Sequence, residues 1–260
     1  MDPEYSKVFG FPDNSGTIDP DRSIISSTNE LFKRSPVPEH LEGRIKSNLA
    51  VDKYQSLLAM GTSDGQIKLI SLKGYEQEID QAHIYPIIWI QFVPNQGKLI
   101  SIDVQNFIKM WDLQTLALIY EGSIPIPEES SVTLLYTPPE LTSQPLNHRH
   151  SFVGTKHGEV LIFDHELMQF SPLRVDGRQI FKDSRRNHTV TDIKCHPDKM
   201  HRLLITFDLS GVCVYSLNKR KAVYTFALIQ EKHFNLGKAL AAEWFGSEGD
   251  ILVGFARGSV

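Results

Sequence analysis

The chain has 260 residues, of which 41% are hydrophobic and 22% charged, and its formal net charge at pH 7 is −4. These values are ordinary for a soluble globular protein, and the slight excess of acid lacks the basic footprint of a nucleic-acid binder. Two cysteines, Cys195 and Cys213, are too few for a disulfide framework and suit a reducing compartment. No apolar stretch is long enough to span a bilayer, and the acidic, polar N-terminus is unlike a signal peptide. The sequence therefore predicts a cytoplasmic protein.

Residues 1–40 differ in composition from the rest of the chain, because they are rich in Ser, Pro, Asp and Asn. Segments of this kind bury too little apolar surface to offset the conformational entropy lost on folding. We therefore predict a disordered polar tail over 1–40 and a folded domain over 41–260.

A hairpin pattern occurs five times from residue 57 onward. Each copy has a short apolar strand, a few polar turn residues and a second apolar strand. The turn residues that mark the register are Gly65, Asn106, Gly158, Gly211 and Gly258. Gly and Asn tolerate the positive φ that a tight hairpin turn requires. Their spacing, between 41 and 53 residues, is close to the period of β-propeller blades.

The second repeat ends in Trp111-Asp112, the dipeptide that gives the WD repeat its name. At the same place the other repeats carry an apolar or aromatic residue followed by a small polar one: Ile70-Ser71, Phe163-Asp164 and Tyr215-Ser216. We predict an all-β, WD40-type β-propeller in which each hairpin supplies the two middle strands of a four-stranded blade. About four blades and a truncated fifth fit into the chain.

The flanking segments predict the remaining strands and two long connections. Inner strands are expected at 87–94 and 190–197, and outer strands at 116–122 and 221–228. The connections are 122–150, with an inner strand at 132–137 inside it, and 166–188. Loops that project from a rigid scaffold are where binding residues concentrate, so both connections are candidate partner surfaces.

The motifs of common catalytic and cofactor sites are missing from the sequence. There is no Gly-rich phosphate loop before a helix, no nucleophile elbow and no H-E-x-x-H. Four histidines stand near one another in the sequence but have no cysteine or acidic ligand at metal spacing, and we interpret them as solvated loop residues: His148, His150, His157 and His165. We therefore predict no enzyme activity, no cofactor and no metal.

Three acidic residues near the hairpin turns, Asp103, Asp164 and Asp208, are expected to brace the blades through hydrogen bonds to a histidine or to the turn backbone. The segment 182–188 contains the one basic cluster. Its cations, Lys182, Arg185 and Arg186, are candidate contacts for an acidic partner or an anionic membrane face. A solvated loop is the alternative interpretation.

Several motifs occur in a fixed order along the chain. They are Leu58-Ala59-Met60-Gly61-Thr62 with Gly65, then Trp111-Asp112-Leu113, Gly154-Thr155 with Gly158, His196-Pro197 with Gly211, and the stretch AAEWFGSEGDILVGFARGS. In this order and with these uneven spacings they resemble the N-terminal half of the lethal giant larvae / tomosyn family. The resemblance covers about residues 41–260.

The resemblance implies a non-enzymatic scaffold that regulates vesicle docking, exocytosis and cell polarity. Its implied partners are plasma-membrane SNAREs of the syntaxin type, Rab-type small GTPases and, for some members, non-muscle myosin II. It also implies peripheral association with the plasma membrane and no nucleic-acid partner. The alternative is a generic WD40 adaptor in another protein complex.

Ring closure is the physical difficulty in this prediction. Propellers close with about four to eight blades, and four blades with half a hairpin leave open sheet edges whose backbone groups are unpaired. Family members are longer and build two propellers. We expect the 260 residues to be part of a longer chain, a truncated paralogue, or a piece completed by another chain.

Overall fold

The computed structural model describes residues 49–52, 55–71, 73–138, 149–182, 188–199, 201–228, 236–245 and 249–258. The tail predicted over 1–40 lies outside these ranges. The described residues form four antiparallel sheets of four strands each and one sheet of two strands. Within each sheet the strands are adjacent in chain order. This is the arrangement of propeller blades, and it confirms the predicted all-β, WD40-type class.

The strands have the following bounds. Blade one contains β1 (Leu49–Asp52), β2 (Leu57–Gly61), β3 (Ile67–Ser71) and β4 (Glu76–Ile79). Blade two contains β5 (Ile87–Val93), β6 (Lys98–Asp103), β7 (Phe107–Asp112) and β8 (Leu118–Ser123). Blade three contains β9 (Val132–Tyr136), β10 (His150–Thr155), β11 (Glu159–Asp164) and β12 (Gln169–Asp176). Blade four contains β13 (Val190–Cys195), β14 (Arg202–Phe207), β15 (Gly211–Ser216) and β16 (Lys221–Ala227), and blade five contains β17 (Ala239–Phe245) and β18 (Asp250–Phe255).

The middle strands of each blade are buried on both faces, which explains why the hairpins dominate the sequence pattern. In β6, β14 and β15 nearly every side chain is buried. A strand covered on both faces becomes a continuous apolar run. The outer strand β16 is instead exposed along most of its length, so it can carry Lys221 and Thr225 among its apolar residues.

The hydrophobic core is divided among the interfaces between consecutive blades. The innermost strands β1, β5, β9, β13 and β17 contact one another in that order. Four apolar clusters lie between blades one and two, two and three, three and four, and four and five. Because neighbouring side chains of a strand point to opposite faces, Leu99 of β6 packs towards blade one and Ile100 towards blade three. Blades two, three and four therefore each depend on two neighbouring blades for burial.

Two threonines on innermost strands form hydrogen bonds between blades. The Thr133 hydroxyl of β9 donates to the carbonyl of Val190, the first residue of β13, at 2.7 Å. The Thr191 hydroxyl of β13 donates to the carbonyl of Ala239, the first residue of β17, at 3.2 Å. The same bond thus recurs at two successive interfaces. It fixes the height of one blade against the next.

The hairpin turn of one blade also contacts the linker that enters the following blade. The Gly65 carbonyl accepts from His83 N at 2.8 Å, and a Cβ on Gly65 would lie 2.1 Å from the His83 carbonyl oxygen. Gly158 meets His188 in the same way, since a Cβ there would lie 2.6 Å from the His188 Cβ. These two turns require glycine because of the close approach as well as their positive φ.

The structure corrects the prediction for residues 166–188. That segment was expected to be a long connection, but it contains the outer strand β12 and a short helix, α1 (Gly177–Phe181). The sequence did not predict this strand because it contains Pro172, and proline cannot donate to a sheet ladder. It lies where the pairing of β12 with β11 shifts register, between Phe170 and Arg174, and a bulge of this kind tolerates proline.

α1 is capped at both ends. The Asp176 carboxylate accepts from Arg178 N at 2.8 Å, and Lys182 ends the helix in the left-handed conformation. Among the residues that the structure describes, no helix has the length and apolar character needed to cross a membrane.

The two glycines Gly65 and Gly74 allow the close approach to be tested apart from the backbone conformation. Their φ values are +82° and +81°, but a Cβ on Gly74 would meet nothing within 4 Å. Gly74→Ala should reduce the free energy of unfolding by about 1 kcal/mol, the cost of a left-handed alanine. Gly65→Ala should cost about 2 kcal/mol more, because the linker must move. Urea unfolding of both variants measures the difference, and equal losses would show that the contact at Gly65 is unimportant.

Candidate functional site

A chain of buried hydrogen bonds crosses blade two. Trp111 Nε1 donates to Ser101 Oγ at 2.9 Å, Ser101 Oγ lies 2.7 Å from His83 Nε2, and His83 Nδ1 lies 3.0 Å from Asp103 Oδ2. An indole N–H can only donate and a carboxylate can only accept. Trp111 therefore donates to Ser101 at one end of the chain, and His83 Nδ1 carries a proton that it donates to Asp103 at the other. We call these four residues the blade-two tetrad.

Three separate elements bring the tetrad together. His83 lies in the linker between β4 and β5, Ser101 and Asp103 lie on β6, and Trp111 lies on β7. The second oxygen of Asp103 accepts from the backbone N–H of Gln105 at 2.9 Å and of Phe107 at 3.0 Å. Asp103 therefore holds both the linker histidine and the hairpin turn. The predicted role of Asp103 as a brace is what the structure shows.

The tetrad contains the same three side chains as a serine hydrolase, Ser101, His83 and Asp103, in the same bonding order. Two features give it a structural role instead. All three residues are at most 2% exposed, so a substrate has no access to the hydroxyl. The Ser101 oxygen also accepts from Trp111, whereas a catalytic serine must present its oxygen to a substrate. Its chemistry is therefore that of a satisfied polar network, which holds a unique geometry in the core.

Blade four has a modified version of this network. His188 precedes β13 as His83 precedes β5, but its Nδ1 bonds to Ser210 Oγ in the hairpin turn, at 2.5 Å. Thr206, two residues before Asp208, takes the place of Ser101, and its buried hydroxyl has no hydrogen-bond partner. Asp208 accepts from Leu209 N at 2.8 Å. The hydroxyl that holds the linker histidine has thus moved from the strand to the turn.

Blade three carries a different network at the opposite end of its strands. Thr137 Oγ1 lies 2.6 Å from Ser151 Oγ, which lies 2.8 Å from His165 Nε2. His165 is fully buried, so its interpretation as a solvated loop residue is wrong. His150 is half-buried, and burial lowers its pKa. His148 lies outside the described residues, within which no group of His, Cys, Asp or Glu is arranged to hold a metal ion.

The residue after the last apolar position of each third strand caps the turn that follows. Asp112 Oδ1 accepts from Gln114 N at 2.9 Å and Thr115 N at 2.8 Å. Asp164, Ser71 and Ser216 accept from backbone N–H groups at the equivalent places in blades three, one and four. The degenerate WD dipeptides therefore keep a short side chain with a hydrogen-bond acceptor at this position, because both Asp and Ser can close such a turn.

The five marker residues of the repeats all have positive φ, from +63° at Asn106 to +112° at Gly211. Asn106 also bonds to the next linker: its side chain donates to the Ser130 carbonyl at 3.4 Å and accepts from Val132 N at 3.2 Å. An asparagine can therefore occupy a place where other blades use glycine, because its amide supplies the contact to the linker.

The predicted basic contact is only partly within the described residues. Lys182 ends α1, and the first residue of that helix, Gly177, donates its N–H to the Gly158 carbonyl in the hairpin turn of blade three at 2.9 Å. Arg185 and Arg186 lie outside the described residues. The basic cluster therefore belongs to the linker between blades three and four, and its role stays a prediction.

Sequence reasoning missed Ser101, Thr137 and Ser151, although each is central to a network. One signal could have found Ser101. It stands two residues before Asp103 on the same strand and thus on the same face. The bonds among Thr137, Ser151 and His165 carry no comparable signal, because these residues stand at the ends of three different strands and only the folded sheet brings them together.

Cys213 is a buried thiol and Cys195 is a partly buried one. Burial raises the pKa of Cys213 to about 12 and that of Cys195 to about 12. Burial also raises the pKa of Tyr136, whose hydroxyl accepts from Cys195 N at 3.1 Å across the interface of blades three and four. The cysteines therefore serve as apolar packing groups.

The chain has the features of a WD-repeat β-propeller. They are the sheets of four antiparallel strands, the tetrad of His, Ser, Asp and Trp, and the WD-type cap of the turn after the third strand. No protein-family profile matches the chain. LLGL scribble cell polarity complex component 2 of Mus musculus is 24% identical over 224 residues, which cover 78% of this chain and 21% of that protein. Its Homo sapiens counterpart is 24% identical over 244 residues, which cover 86% of this chain and 22% of that protein.

The resemblance to the lethal giant larvae family, inferred from the ordered motifs, is thereby confirmed. The chain spans about a fifth of the length of these two relatives. A shorter match joins 35% of the chain to 20% of the Retinoblastoma-binding protein 5 homolog of Drosophila melanogaster, at 32% identity over 96 residues.

The equivalent positions Ser101 and Thr206 offer a matched pair of substitutions. Ser101→Ala leaves the Trp111 N–H and His83 Nε2 buried without a partner, and should lower the free energy of unfolding by about 2–4 kcal/mol. Thr206→Val removes a hydroxyl that already lacks a partner, and should change it by less than about 0.5 kcal/mol. Urea unfolding checks both values. A loss at Thr206→Val as large as that at Ser101→Ala would contradict the assigned networks.

The buried thiols predict a loss of stability at high pH. An unfolded cysteine ionises near its ordinary pKa of 9.0, whereas the folded thiol of Cys213 holds its proton up to about 12. The free energy of unfolding is therefore unaffected by this thiol below pH 9, and it falls as the pH rises towards 12 because the unfolded chain then loses the thiol proton first. The slope should be shallower in Cys213→Ala. A thiol reagent at pH 8 should label Cys213 only in step with unfolding, and fast labelling of Cys213 in the folded chain would oppose this assignment.

Proposed function

We propose that the chain is a non-enzymatic WD-repeat scaffold in cell polarity and exocytosis, which acts by binding syntaxin-type SNAREs and Rab-type GTPases. The observation that carries the proposal is the match to LLGL scribble cell polarity complex component 2 over 78–86% of the chain. The burial of the one Ser-His-Asp arrangement described in blade two supports a scaffold over a hydrolase. Peripheral association with the plasma membrane, and binding of non-muscle myosin II, belong to the same proposal.

The mechanism is steric. A rigid propeller holds a SNARE helix and limits its entry into the four-helix bundle that drives membrane fusion. Rigidity favours such competition, because a preformed surface loses little entropy when it binds. The turn–linker contacts and the bonds of Thr133 and Thr191 between blades provide that rigidity. The basic linker with Lys182, Arg185 and Arg186 is the proposed contact for an acidic face of the partner.

Generic adaptor function in another complex is the second candidate. The match to the Retinoblastoma-binding protein 5 homolog favours it, since the identity there is higher, although over a shorter stretch. Affinity capture of the tagged chain, followed by mass spectrometry, separates the two. SNAREs, Rab GTPases and polarity proteins favour the scaffold in exocytosis, and a set of nuclear partners favours the adaptor.

The charge of the basic linker gives the direct test. Purified chain should bind a labelled syntaxin-type SNARE helix and slow its assembly into the four-helix bundle. The variant K182E/R185E/R186E should bind about tenfold more weakly, because charge reversal opposes an acidic partner. The control K219E/R220E/K221E makes the same charge change in the exposed turn after β15 and at the first residue of β16, and should bind within about twofold of the wild type. Equal binding by all three proteins would exclude the basic linker, and no binding by the wild type would exclude the SNARE contact.

A further inference from the structure

The linker that enters blade two displays apolar side chains between two fixed points. His83 N donates to the Gly65 carbonyl at 2.8 Å, and Ile87 N donates to the Thr62 carbonyl at 3.1 Å. Between these bonds Ile84 is 88% exposed and Tyr85 is 43% exposed. The burial of His83 in the tetrad holds the backbone beside them. The two side chains are therefore presented by a rigid segment.

The hairpin turn of blade two extends this surface. Val104 is 41% exposed, and its N–H donates to the Pro86 carbonyl at 3.0 Å, directly after Tyr85. Ile84, Tyr85 and Val104 together form what we call the apolar patch. Asp103 positions both of its parts, since one carboxylate oxygen bonds to His83 and the other to the turn that follows Val104. The buried tetrad thus fixes the position of the exposed apolar patch.

Acidic residues lie in the turns and linkers at the same end of the blades as the apolar patch. Within the described parts of the chain, the turns and linkers at this end of blades one and two are residues 62–66, 80–86, 103–107 and 124–131, and these four segments contain no Lys or Arg. Their exposed carboxylates belong to Asp64, Asp80, Glu128 and Glu129. The linker 124–131 lies at the same end, because Asn106 in the hairpin turn bonds to the Ser130 carbonyl and Val132 N.

We propose that the apolar patch docks a basic amphipathic segment of a partner protein. Large apolar side chains of the segment would cover Ile84, Tyr85 and Val104, and flanking Lys or Arg residues would meet these carboxylates. The acidic turns and linkers select this chemistry, because complementary charge steers a partner and excludes one of like sign. A patch held by backbone bonds on both sides binds without first having to become ordered. The surface is separate from the basic linker at Lys182, so the proposal is independent of the SNARE contact.

The test uses two labelled synthetic peptides of 18 residues, one made of Leu and Lys and the other of Leu and Glu in the same helical pattern. Fluorescence anisotropy with the full chain should give at least about tenfold tighter binding for the Lys peptide, and the preference should weaken at high salt. The variant I84S/Y85S should bind the Lys peptide at least about tenfold more weakly. The charge variant D80K/E128K/E129K should lose the preference for the Lys peptide.

The matched control is V223S/Y224S, which removes one β-branched residue and one tyrosine from the exposed outer strand β16. It should bind the Lys peptide within about twofold of the wild type. Circular dichroism of each variant confirms folding. Equal weakening by both double variants, or none by I84S/Y85S, would overturn the proposal.

Two other occupants would overturn it as well, and each has its own signature. If a second copy of the chain covers the patch, sedimentation velocity will show a dimer that I84S/Y85S converts to a monomer. If the preceding segment of the chain covers it, the full chain will bind the Lys peptide at least about tenfold more weakly than a chain that begins at residue 49.

Discussion

The structure depends on one repeated contact, in which the hairpin turn of a blade touches the linker that enters the next blade. At Gly65 and Gly158 the approach is too close for a Cβ, and at Asn106 a side-chain amide makes the bond instead. This contact fixes the position of each innermost strand relative to the preceding blade. Once it is fixed, alternate side chains of the strand fall into the two neighbouring cores, and the threonine bonds between blades follow. Local turn chemistry thereby sets the arrangement of whole sheets.

The polar networks show how a repeat can vary without losing its geometry. In blade two a strand hydroxyl holds the linker histidine, and in blade four a turn hydroxyl does so. Blade three places its histidine, His165, at the other end of the strands, where it bonds to Ser151. The common requirement is that a buried imidazole must find a partner, and several positions satisfy it. A repeat that tolerates such exchange can diverge in sequence far more than its fold does.

The hairpins could be predicted from the sequence because their strands are covered on both faces, so their apolar runs and their turn glycines stand out. β12 could not, because Pro172 and its exposed side chains imitate a loop. Only part of the tetrad could be predicted from the sequence, for a similar reason. Trp111, His83 and Asp103 have recognisable contexts, whereas Ser101 resembles any small residue in a strand until its neighbours are known. The position of Lys182 followed from the sequence, but its relation to blade three required the contact between Gly177 and Gly158.

The three tryptophans occupy three different environments, so their fluorescence can report on different parts of the protein. Trp111 donates to Ser101 inside the tetrad, and Trp89 packs among the cores that flank blade three. Trp244 contacts His196 between blades four and five, with the ring centroids 4.6 Å apart and the ring planes tilted by 53°. Indole emission responds to the polarity around the ring. Variants that keep one tryptophan at a time would therefore report separately on successive blades, and a single denaturation experiment would reveal whether the repeats melt together or in sequence.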